Sequence, residues 1–250
     1  MVKVIGPLAS HHASGHISAP RIYSSSLRNR HERKAPPAPP APTGFSLHFT
    51  STSDHCDAPS FNHPTQNPGT LETWIYPTAA KGYLCGSMFT TYTCGAYLIF
   101  YTDRFYVQTN FGDTTYYFHI INPIPLNQWT HVASTWATGL LTMWIGGQNI
   151  GTSWTQATTT VPYSGFHIGG QLAGTQPKLE GYITRTRFSD IVRYNAAFTP
   201  PKDFTPDANT LGLWRMMEGS GITVADESGN GHTLNFPGAN QPTWSTSNPD

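Results

Sequence analysis

Three oxygen-bearing side chains stand close together near the end of the chain, in turns suited to a hard cation. They are Glu218, Asp226 and Asn230, within Leu211–Phe236 (LGLWRMMEGSGITVADESGNGHTLNF). Calcium takes about six to eight oxygen ligands, and Asp54 and Asp57 could add to such a set. A plainer use competes with this one. An Asp that opens a turn accepts hydrogen bonds from backbone N–H groups two residues on, and glycines at 229 and 231 supply the positive φ angles of a tight turn. A structural Ca²⁺ site and local turn chemistry are therefore both open on the residues alone.

Other chemistries find less support. Glycoside hydrolysis needs two carboxylates about 5–10 Å apart, commonly set out as Glu-x-Asp-x-x-Glu on one strand. That pattern does not occur, and Glu72 stands alone between Leu71 and Thr73, so no catalytic residue is assigned. His11, His12 and His16 lie in the leader, and His131 and His167 fall in apolar alternating runs, so no closed transition-metal set is visible. Cys56, Cys85 and Cys94 fit neither a disulfide framework nor Cys-x-x-Cys spacing and read as reduced packing thiols. Aromatic residues offer sugar-stacking surfaces, with Tyr83, Tyr92, Tyr116, Tyr117, Trp136 and Trp154 as candidates. Strand aromatics mostly enter the core of a sandwich, which leaves Tyr83, Tyr92 and Trp154, read as loop residues, as the ligand-binding expectation.

The elements that must carry these residues are short and alternating. Thr70–Tyr76, Ala96–Tyr101, Arg104–Thr109, Thr115–Ile121, Thr130–Trp136, Leu140–Ile145, Gly165–Gly169 and Gly181–Phe188 are rich in Thr, Tyr, Phe, Trp and Ile and bounded by Gly, Pro or Asn. Period-2 alternation with frequent turn signals predicts an all-β, antiparallel two-sheet sandwich over residues 45–250. Residues 1–44 lack periodicity and end in the polyproline II spacer Ala35–Pro42 (APPAPPAP). This arm holds six Lys/Arg against Glu32 alone, a net +5, and the rest holds eight Lys/Arg against thirteen Asp/Glu, a net −5. Such asymmetry suggests an arm that docks on an acidic partner surface, with Arg21, Arg28, Arg30, Arg33 and Lys34 as its contacts. Aromatics are not interleaved with these cations, so nucleic acid is not the expected partner. No apolar run reaches the roughly 18 residues of a membrane span, and the first residues do not read as a signal peptide.

Several ordered motifs resemble the laminin-G-like, concanavalin-A-like jelly roll. Trp214-x-x-x-Glu218-Gly-x-Gly followed by Asp226-x-Ser-Gly-Asn-Gly is similar to the end of such domains. Leu71–Pro77 (LETWIYP), Asn127–Ala133 (NQWTHVA), Phe166–Gly170 (FHIGG) and Leu179–Ala197 resemble the family's strands in order. The resemblance runs from about Phe45 to about Trp244 and implies a jelly roll, a fold that hosts lectins, hydrolases, adhesins and virion parts alike. Two departures stand out. The hairpin turn is Gly146-Gly147 where the family often has Asp-Gly, and the strand that often reads Ile-Asp-Glu-Val-Arg is Ile183-Thr184-Arg185-Thr186-Arg187 here.

From arm, jelly roll and lack of a catalytic signature, the expected function is that of a non-enzymatic virion structural protein. It would be a bacteriophage capsid decoration, minor capsid or tail component, in a multimeric assembly with other virion proteins and located in the virion. The alternative is a lectin-like carbohydrate-binding or adhesion module, Ca²⁺-dependent if the turn residues bind metal, with host surface glycans as partners.

Overall fold

Alternation of apolar and polar residues makes each strand amphipathic, and two sheets bury their apolar faces against one another. A computed structural model describes residues 44–50, 54–62, 68–87, 95–101, 104–111, 114–120, 124–137, 140–153, 165–170, 178–238 and 241–250. The arm cations Arg21, Arg28, Arg30, Arg33 and Lys34, and also Tyr92, Cys94 and Trp154, lie outside the described residues.

Sixteen strands are described, and no helix is found among the described residues. They are β1 (Ser46–Phe49), β2 (Cys56–Ala58), β3 (Gly69–Pro77), β4 (Lys81–Ser87), β5 (Gly95–Tyr101), β6 (Arg104–Phe111), β7 (Thr114–Ile120) and β8 (Thr130–Ala137). The rest are β9 (Leu140–Ile145), β10 (Gln148–Ser153), β11 (Phe166–Ile168), β12 (Gly181–Ser189), β13 (Thr210–Trp214), β14 (Thr223–Val224), β15 (Leu234–Asn235) and β16 (Thr243–Ser245). One sheet runs β10-β9-β8-β3-β12-β1-β16, and β13 shares with β1 the far edge of β12. The other runs β14-β15-β2-β11-β4-β5-β6-β7, and all the ladders are antiparallel. The all-β sandwich expected from the sequence is what the chain adopts.

Between the sheets lie Leu47, Phe49, Leu71, Ile75, Val132 and Ile183 from the first and Cys56, Phe166, Ile168, Leu98, Phe100 and Phe105 from the second. At the centre Phe166 stacks on Trp214 at 4.5 Å, with Phe61 and Phe188 turned edge-on to each other nearby. Full burial of each such side chain stabilises by roughly 1.5–3 kcal/mol. Cys56 and Cys85 are free thiols in this core, and burial pushes both well up from the usual thiol range.

β4 was not legible as a strand because Gly82 and Gly86 interrupt its alternation. Gly82 is required: at φ 122° a Cβ there would sit 2.4 Å from the Leu179 backbone. The Gly146-Gly147 pair has positive φ at both residues, as a type I′ turn demands. Gly147 also does something a turn alone would not need. A Cβ on it would lie 1.9 Å from the Phe198 carbonyl oxygen, so the segment after β12 packs directly on this turn.

Candidate functional site

The outer faces of the two sheets carry different chemistry. On the β3–β8–β12 sheet, Glu72, His131 and Arg187 point away from the core yet are almost wholly buried. Residues 190–209 cover them as a strap. Arg187 Nε donates to Glu72 Oε1 at 2.8 Å, and Tyr194 Oη donates to Oε2 at 2.7 Å. His131 Nε2 lies 3.0 Å from the same Oε2. Burial pushes the Glu72 carboxyl up, but His131, Arg187 and Tyr194 outweigh it and hold it below the usual carboxylate range. Burial beside this anion pushes the Tyr194 phenol far up. Tyr194 stacks on Phe198 at 3.6 Å, Arg187 lies 4.6 Å over the Phe204 ring, and the Trp74 indole donates to the Pro201 carbonyl at 3.0 Å. With no exposed side-chain surface on Glu72 or His131, this network fastens the strap and is closed to a ligand.

The other sheet keeps a partly open polar face. Cys56 and Ala58 of β2 and Phe166 and Ile168 of β11 face inward, so alternation turns Asp57 and His167 outward. His167 Nδ1 lies 2.6 Å from Asp57 Oδ1, and His55 Nε2 lies 3.3 Å from Asp57 Oδ2. Burial pushes the Asp57 carboxyl up, but the hydrogen bonds and charge of His167 and His55 prevail and hold it at about 2. Lys178 lies flat over Gly170, where a Cβ would sit 2.0 Å from its Cδ. Burial lowers the lysine's affinity for its proton, and the charges of Asp57 and Asp54 oppose that effect.

Asp57 and His167 belong to a longer line. Across all eight strands of this sheet, cross-strand register aligns Thr223, Asn235, Asp57, His167, Gly86, Tyr97, Gln108 and Tyr117. Gly86, without a side chain, stands in the middle of the line. Among the described side chains of the row, the Asp57 carboxylate, the His167 imidazole and the Asn235 amide stand at one level and suit a ligand rich in hydroxyl groups. A pair of carboxylates is not part of the row.

The residues singled out from the sequence fall as follows. Tyr83 departs from the expectation of a loop residue free for stacking: it lies within β4 and is buried to 1% exposure beside Ile99 and Lys178. The turn residues do not fit a calcium site. Asp226 Oδ1 accepts from the N–H groups of Leu213 and Ser228 at 3.0 and 2.9 Å, and Oδ2 accepts from the His232 N–H and the Ser228 hydroxyl at 2.9 and 2.8 Å. Asn230 Nδ2 donates to the carbonyls of Thr210 and Leu211, and Glu218 Oε1 accepts from Ala225 N–H at 2.7 Å. Four donors already point at the Asp226 carboxylate, and a cation would meet the positive ends of those dipoles. Among the described residues no group of three His, Cys, Asp or Glu side chains has metal-binding spacing. Asp57 and His167 were named in the sequence only as an accessory acid and a strand imidazole. Their pairing joins positions 110 residues apart, and only the ladder reveals it.

Sequence and structure comparisons agree on the fold. The family model of the concanavalin A-like lectin/glucanases superfamily matches residues 50–197, more than half of the chain. No curated protein matches the sequence. Among solved structures, the chain is similar to a provisionally assigned carbohydrate-binding protein from Bacteroides ovatus (16% identity, TM-score 0.56), over 80% of this chain and 61% of that one. It thus spans under two thirds of that protein's length. It is also similar to the heptameric SAP-like pentraxin of Limulus polyphemus (16% identity, TM-score 0.54), over 79% of this chain and 97% of that one. With motifs, topology and family match in accord, the chain belongs to the concanavalin A-like lectin/glucanases superfamily.

Proposed function

We propose that the chain is a non-catalytic carbohydrate-binding module whose ligand lies along the outer face of the β4–β7 sheet. The observation that carries this reading is the partly exposed Asp57–His167 pair on the outer face, at a register level shared across the sheet with Asn235 and Gly86. Planar carboxylate and amide groups pair with vicinal hydroxyls, and the imidazole adds a donor or acceptor. Asp57 is the one acid in the row, where hydrolysis by the usual route takes two. The carbohydrate-binding assignment of the Bacteroides ovatus relative fits this reading. The virion-structural reading draws on the basic arm, residues 1–44, and neither the family nor the row favours it. A glycan array probed with the full chain tests the proposal. Asp57→Asn combined with His167→Gln is expected to weaken the bound set about tenfold or more. Undiminished binding by that double variant would remove the site, and release of hydrolysed sugar would remove the non-catalytic assignment.

A further inference from the structure

The strap leaves one end of the β3–β8–β12 sheet uncovered, and four aromatic rings gather there. His48 of β1, Tyr182 of β12 and Tyr76 of β3 are consecutive cross-strand neighbours on the outer face, opposite the buried Leu47, Ile183 and Ile75. Trp129 joins them through the turn before β8, where Asn127 takes a φ of 56° and donates its N–H to the Pro77 carbonyl at 2.8 Å. His48 stacks on Tyr182 at 4.2 Å and 9°. Tyr76 meets Tyr182 edge-on at 5.6 Å and 84°, and Trp129 meets Tyr76 at 5.7 Å and 62°. All four rings are half-buried.

We propose that this cluster is a second carbohydrate site, separate from the β4–β7 face, that takes uncharged pyranose rings. The ring planes turn through more than sixty degrees from Tyr182 to Tyr76 and from Tyr76 to Trp129, which makes a stepped notch and not a flat apolar face. Each wall of the notch presents an aromatic surface to sugar C–H groups, with a polar tip at its rim. Among the described residues the Tyr76 and Tyr182 hydroxyls have no hydrogen-bond partner. On the β16 side the flank is uncharged: Thr243 lies opposite His48 in register, and Ser247 Oγ accepts from the Trp129 indole N–H at 3.3 Å, while the charge of the Asp54 carboxylate also reaches His48. A second protein is a poorer occupant. A stable interface needs about 800 Å² per partner, well beyond what four half-buried rings of roughly 150–250 Å² each can still offer.

Tyr76→Thr with Tyr182→Thr keeps hydroxylated, strand-favouring residues and removes the notch. Titration calorimetry with neutral oligosaccharides selected on an array of neutral and acidic glycans gives the readout, with far-ultraviolet circular dichroism and melting curves confirming the fold. The expected result is a class of neutral ligands that the double variant binds about tenfold or more weakly, whose binding changes tryptophan fluorescence in the wild type but not in Trp129→Leu, and which Asp57→Asn with His167→Gln still binds. The proposal is overturned if no neutral glycan binds, if the Tyr variant binds every glycan as the wild type does, or if sedimentation shows a dimer that the Tyr variant abolishes. Loss confined to the Asp57 and His167 variant would leave the β4–β7 site standing and remove this one. If Tyr76→Thr with Tyr182→Thr fails to fold, Trp129→Leu, at the loop side of the notch, is judged by the same outcomes.

Discussion

The two outer faces of this sandwich use the same residue types to opposite ends. Each places a carboxylate beside imidazole and a cation, Glu72 with His131 and Arg187 on one sheet, Asp57 with His167, His55 and Lys178 on the other. Glu72 has no exposed side-chain surface, whereas the Asp57 side chain is 15% exposed. A buried charge must be fully paired to be tolerated, and the strap completes that pairing with Tyr194. The Asp57 charge, paired with two histidines, still keeps contact with solvent. What separates a closed fastening from an open polar face here is the cover, not the chemistry of the side chains.

The contrast is sharpest if Glu72 is made neutral. Glu72→Gln leaves Arg187 buried without its counter-charge and should cost about 3–5 kcal/mol in urea unfolding. Asp57→Asn should cost less than half as much, and equal losses would erase the distinction between the faces. Next in size, Gly147→Ala pushes a methyl against the Phe198 carbonyl at a positive-φ position. It should cost more than about 1 kcal/mol and open residues 190–209 to limited proteolysis, with no effect on glycan binding at the β4–β7 face. Unchanged cleavage would detach the strap from the turn. The smallest effect concerns acid. Because Asp57 is held at about 2 against an ordinary 3.8, its contribution is present above about 3.8 and lost as pH falls toward 2. Asp57→Asn should flatten the wild-type stability slope in that window, and a slope equal to that of the wild type would show that His167 and His55 do not hold the carboxylate.

Much of the fold could be read from alternation: β3, β5 to β9 and β12 coincide within a residue or two with the runs seen in the sequence. β4 escaped because Gly82 answers to the Leu179 backbone and not to a periodic pattern. The strap network was illegible for another reason. Glu72 meets His131 and Arg187 across 59 and 115 residues, so in sequence it stands as a solitary acid. The departure at Thr184-Arg185 acquires a local use. β12 bulges there, Arg185 takes a φ of 50°, and the Thr184 hydroxyl donates to the Phe45 carbonyl. Asp226 was the reverse case, conspicuous in sequence and fully occupied by its own turn.

The pairing of β1 with β16 has a mechanical meaning. Ser46, where the chain enters β1, lies opposite Ser245, where it leaves β16. Tension applied through the flanking chain therefore acts on both strands at the same end of their ladder. Antiparallel hydrogen bonds loaded this way open in succession, as a zipper does, and do not share the load as they would in shear. The clasp from Asn248 to the Gly44 carbonyl and from Arg185 to Asp250 sits at that end. A tethered domain of this design would yield at low force by releasing β16 first, with the strap and its sheet still folded behind it.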